Sequence, residues 1–145
     1  MRARAAVVVV LLAGCATQQP SPTEEAAKPP VVVPATPPVK ESVAIAGLMD
    51  NARADYAAGN FPSAAASIER ALRIEPRNPR LWHELARVRL KQGQYAQAES
   101  VAARSNSWAA DDKALRAENW RLIAESRRAR GDSEGAQAAL EAAGR

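Results

Sequence analysis

A pattern of large, small and glycine residues returns three times in this chain, and that recurrence constrains its fold more than any other feature. In register the copies give Leu48, Trp82 and Trp120; Ala52, Ala86 and Ala124; Gly59, Gly93 and Gly131; and Ala64, Ala98 and Ala136. Every set is spaced by 34 and then 38 residues. Self-similarity at this period marks a supersecondary unit that must stack on copies of itself to bury its apolar faces. In the middle copy, Leu81 to Ser105, Trp82, Leu85 and Ala86 share one face of a first helix and Gly93 breaks it. Tyr95, Ala98, Ala102 and Ser105 then mark the packed face of a second. Neither stripe is wide enough to hold its helix alone, so each pair needs neighbours. The expectation is an all-α chain of three helix-turn-helix repeats forming a short solenoid.

The helices are expected over Val43 to Ala58, Phe61 to Ile74, Pro79 to Gln92, Tyr95 to Arg104, Asp111 to Arg130 and Ser133 to Ala143. Asn78 before Pro79 reads as an N-cap followed by proline at the first helical position. Asp111 and Asp112 are placed to cap the fifth helix, a role that accounts for this carboxylate pair without catalysis. Alanine dominates after Ser42, so the core is expected to be thin, with alanine where helix backbones meet and Trp or Leu between repeats.

The large residue, small residue, Gly-x-aromatic, alanine and closing proline resemble the tetratricopeptide repeat. The aromatic is Phe61, then Tyr95, then Ser133; the closing proline is Pro76 in the first copy and Ala110 in the second. The second copy also carries four extra residues around Asn106 to Asp112. The resemblance implies a concave face lined by the first helix of each repeat. Its lining positions here are Arg53, Tyr56, Arg80, His83, Arg87, Lys91, Arg121 and Arg128, with Glu118 and Glu125 opposing. That implies a basic groove for an acidic, carboxylate-bearing protein segment. The Lys and Asn pattern of the chaperone-tail carboxylate clamp is absent. Trp108 lies outside the repeat's core pattern, either as an interface anchor or packed into the seam between the second and third repeats.

The first residues have a different purpose. Arg2 and Arg4 precede an apolar run, Ala5 to Ala13, with the shape of a secretory signal. A membrane-spanning helix needs about 20 apolar residues, and this run ends well short of that. Leu12-Ala13-Gly14-Cys15 resembles the lipobox of bacterial lipoproteins. By that resemblance Cys15 is the first mature residue and carries covalent diacylglycerol and acyl lipid. Cys15 is the only cysteine, so no intrachain disulfide is possible. Ala16 after the cysteine, rather than Asp, implies the outer membrane with the domain facing the periplasm. Seven prolines lie between Pro20 and Pro38, and a stretch so interrupted sustains neither helix nor strand. The expected organisation is a signal peptide over 1–14, a lipid-anchored disordered Pro-rich linker over 15–42, and a repeat domain over 43–145, with repeats of about 45–78, 79–116 and 117–145.

The sequence contains no HExxH, GxSxG, SxxK or phosphate-binding Gly-rich loop, and His83 is the single histidine. No catalytic residue, metal site or cofactor is expected. A net charge of +4 raises nucleic acid as a partner. The leader points away from it, and 16 basic against 13 acidic residues from Val43 onward leave the domain only +3. The lipobox, Pro-rich spacer and short repeat domain, together with the run PRLWHELARVRLKQGQYAQAES, resemble the LpoP-type lipoprotein activators of class A penicillin-binding proteins. That resemblance implies a peptidoglycan synthase as the protein partner. An assembly factor or pilotin-like scaffold for a secretin, pilus or outer-membrane complex is the alternative.

Overall fold

The computed structural model describes residues 43–145, so Cys15 and the Pro-rich stretch lie outside the described residues. Six helices follow in order: α1 (Val43–Ala57), α2 (Phe61–Ile74), α3 (Pro79–Lys91), α4 (Tyr95–Trp108), α5 (Lys113–Ala129) and α6 (Ser133–Ala143). Each packs against the next, and α3 also packs against α5. The fold is all-α and tetratricopeptide-like, as the periodicity implies.

The turns inside the repeats follow from one requirement. Gly59, Gly93 and Gly131 all take positive φ, at 76°, 72° and 84°. A side chain disfavours that conformation, which is why glycine recurs at this place in all three copies. Between repeats the chain turns on side-chain caps. Asn78 accepts from Arg80 N at 3.0 Å and Leu81 N at 3.4 Å, starting α3 as expected. Only one of the two aspartates expected at α5 caps it: Asp112 Oδ1 accepts from Leu115 N at 3.0 Å. The four extra residues lengthen α4 through Trp108 instead of forming a loop from Arg104. The chain then reverses through Ala110 at φ 42°, the only described non-glycine residue with positive φ.

The core has two parts. Ile45, Met49 and Ala52 of α1, Ala64, Ile68, Ala71 and Leu72 of α2, and Leu81, Leu85 and Val88 of α3 form the first. Ala86, Ala102, Ile123, Ala124, Ala136 and Ala139 form the second, with Trp120 and Leu122 packed against it. The matched alanines Ala52, Ala64, Ala86, Ala98, Ala124 and Ala136 are all buried, so helix backbones approach closely at those points.

The first repeat departs from the others where, among the described residues, no repeat precedes it. Leu81 and Leu85, buried in α3, correspond to Gly47 and Asn51, both exposed. A polar or small residue there is what an N-terminal repeat requires. The same logic governs a charged position. Arg89 reaches back to Glu69 of α2, and its counterpart Arg127 reaches Glu99 of α4, 2.7 Å away. The first copy holds Asp55 instead, which accepts from Ser63 Oγ at 2.6 Å within its own repeat.

Candidate functional site

The first helices of the repeats present one side of the molecule, and their side chains enclose a cavity of about 450 Å³. Met49 and Arg53 enter from α1, Arg80, Leu81, His83, Glu84 and Arg87 from α3, Leu115 and Glu118 from α5, and Glu75 and Asn78 from the preceding turn. A smaller recess of about 130 Å³ adjoins it, where Tyr56 joins Arg53, Glu84 and Arg87. Five of the eight groove positions read from the sequence, Arg53, Tyr56, Arg80, His83 and Arg87, therefore come together.

Their electrostatics differ from the basic groove expected. Arg53 pairs with Asp50 at 2.9 Å, Arg80 with Asp112 at 3.0 Å and Arg87 with Glu84 at 3.0 Å. Three guanidiniums thus face three lining carboxylates, Glu75, Glu84 and Glu118, with Asp50 and Asp112 just beyond. Of these acids only Glu118 was set opposite the arginines from the sequence; Glu84 sits one helical turn from Arg87 and Glu75 on the turn between helices. Arg87 also lies 5.3 Å over the Tyr56 ring, and Tyr56 meets Phe61 edge-on at 5.5 Å. Stacking and the ion pair together hold that guanidinium at the wall of the recess.

Lys91, Arg121 and Arg128 do not line the cavity. All are exposed, and among the described residues none makes an ion pair. Trp108 stands elsewhere, at the end of α4, 39% exposed, with the Arg77 guanidinium 5.2 Å over its ring. It is neither fully free nor buried in the seam. Its neighbour pair has the same form, with Arg104 4.6 Å over Trp82 and Trp82 Nε1 donating to Pro76 O at 2.8 Å.

A buried polar chain supports the cavity floor. Asn119 is 0% exposed and occupies the register place of Gly47 and Leu81. It bonds His83 Nδ1 at 2.8 Å, Ser105 Oγ at 2.8 Å and Asn106 Oδ1 at 2.9 Å. Ser105 Oγ in turn donates to Pro79 O at 2.7 Å. His83 is held with its other nitrogen, Nε2, 3.7 Å from Glu118 Oε2. The sequence reading missed Asn119. The signal was there, since a polar residue stands where the preceding copy has leucine.

Comparison with known proteins agrees with this architecture. The tetratricopeptide repeat family matches residues 55–118. Among solved structures, the globular C-terminal domain of P. aeruginosa LpoP matches at 45% identity with a TM-score of 0.70. The match covers 71% of this chain and 97% of that one. No curated protein sequence matches. The chain belongs to the tetratricopeptide-repeat proteins, and within them its repeat domain is a relative of LpoP. Repeats of this kind and this relative support a protein-binding role with a protein partner.

Proposed function

We propose that the chain is an outer-membrane lipoprotein, anchored through Cys15, whose repeat domain binds and activates a periplasmic class A penicillin-binding protein. The observation that carries this is the 45% identity to LpoP across 97% of that domain. The groove between α1, α3 and α5 is the seat of the partner. A groove whose lining side chains are already paired in the free protein loses less entropy on binding, so more of its interaction energy is available to favour one partner conformation over another. Activation then means stabilising the synthase in its polymerising or crosslinking form. The lipoprotein itself performs no chemistry in this scheme, and the lipid on Cys15 is its only attached group.

The test is glycan polymerisation and crosslinking by a purified cognate class A synthase with and without the protein. The protein is expected to raise the rate and to be retained by the immobilised synthase. No retention together with no rate change overturns the proposal. Arg87→Ala removes a guanidinium shared by the cavity and the Tyr56 recess, and is expected to weaken retention by about tenfold, as loss of an interface arginine does. Its circular dichroism should keep its helical amplitude. Retention unchanged by the substitution would place the contact outside the groove.

A further inference from the structure

We infer that the groove takes a basic side chain, a lysine ammonium or arginine guanidinium on an extended segment of its partner, between His83 Nε2 and Glu118. This rests on the reading of the groove as the partner's seat and specifies the chemistry of one position in it.

The reason begins at the buried end of the polar chain. The Pro79 carbonyl can only accept, so the Ser105 hydroxyl spends its single hydrogen there, at 2.7 Å. Ser105 Oγ is left as an acceptor toward Asn119, 2.8 Å away, and the group facing it must be the amide nitrogen. The second hydrogen of that nitrogen goes to Asn106 Oδ1 at 2.9 Å. The Asn119 amide oxygen then faces His83 at 2.8 Å and accepts from Nδ1–H. Turning the Asn119 amide over would set its oxygen against a hydroxyl with no hydrogen left to give.

An acceptor-only carbonyl thus fixes the proton position two side chains away. Neutral His83 carries its proton on Nδ1 and presents the Nε2 lone pair beside Glu118 Oε2, 3.7 Å off. In that neutral form two acceptors face each other with no donor between them. The cations around them are engaged elsewhere: Arg53 with Asp50, Arg80 with Asp112 and Arg87 with Glu84. Glu75, which accepts from the neutral Asn78 amide at 2.8 Å, lines the same cavity and adds negative potential. A charged donor satisfies both acceptors at once, whereas a carboxylate meets repulsion and an aliphatic chain leaves both unpaired. The partner's segment is therefore basic at this point, the reverse of the acidic ligand implied by the row of arginines in the sequence.

His83 is the only histidine in the chain, so its isotope-labelled imidazole nitrogens report on this position without ambiguity. In the whole protein, the resonances of the neutral imidazole should show the Nδ1-protonated tautomer. A blocked Ala-Lys-Ala peptide should shift the Nε2 resonance, while its norleucine and glutamate counterparts should not. Glu118→Gln should weaken the lysine peptide by about fivefold, as expected for loss of one exposed charge partner. A free protein whose imidazole is protonated on both nitrogens and paired with Glu118 would overturn the inference, because a proton would already fill the position. An Nε2-protonated tautomer, or equal response to lysine and norleucine, would overturn it too. If the synthase is retained and retention depends on Arg87 while the imidazole ignores lysine, the groove reading stands and this inference alone falls.

Discussion

Single residues in this domain divide by whether they pack or point. The Ser105 hydroxyl packs: it is 0% exposed and joins the Pro79 carbonyl to the Asn119 amide. Ser105→Ala leaves a buried Asn119 amide hydrogen without a partner and takes a second bond from the Pro79 carbonyl, which costs about 1–3 kcal/mol. Urea denaturation should show a lower midpoint with unchanged slope. A midpoint within error of the parent would mean that water replaces the hydroxyl. Asn106 Nδ2, buried with no partner of its own, shows that the network is already incompletely satisfied at its edge. What the sequence displayed at this scale was the packing half. Trp82, Leu85, Ala86 and the glycines are legible because the repeat demands them at fixed spacing. The ion pairs Arg80–Asp112 and Arg127–Glu99 join residues 32 and 28 positions apart. No local pattern announces such partners, whereas Arg53–Asp50 and Arg87–Glu84 are i,i+3 pairs on one helix, so the groove's charge balance was legible only in part.

At the level of helices, the same register place has different energetics according to whether another repeat follows. Ile68, Ala102 and Leu140 are equivalent, and the first two are 2% and 0% exposed beneath the next repeat. Leu140, with no described repeat after it, is 37% exposed. Ile68→Ala should therefore cost about 2–5 kcal/mol through lost burial and a residual cavity. Leu140→Gln should cost only about 1–2 kcal/mol, because part of the side chain stays in water on folding. Thermal unfolding of both variants checks the pair, and comparable losses would show that α6 contributes to the core as fully as α2 does. Helix ends were legible wherever a capping residue or glycine sits at the boundary, as at Phe61, Pro79 and Ser133. They were not at α4, where SNSW continues the helix past Arg104 because no glycine or proline stops it. The chain pays for that extension at Ala110, whose φ of 42° is disfavoured for a residue with a Cβ.

For the whole molecule, the proposed function turns on reach. A groove held at one membrane can act on a synthase anchored in another only if the segment between lipid and repeats spans the wall. Ala16 to Ser42 supplies 27 residues. Extended in polyproline II they cover roughly 80 Å, and as a flexible coil only about 30 Å. A variant with this stretch halved, its prolines kept in proportion, should reach about 40 Å at most on the same rise per residue. Purified, it should stimulate the synthase as the parent does, because the groove is unchanged. In cells that depend on this protein, the proposed function predicts that it fails to support growth while accumulating at normal levels in the membrane fraction. The two measurements separate reach from recognition: growth equal to the parent's would show that the Pro-rich stretch is not limiting, and a loss of stimulation in solution would show that it touches the synthase itself.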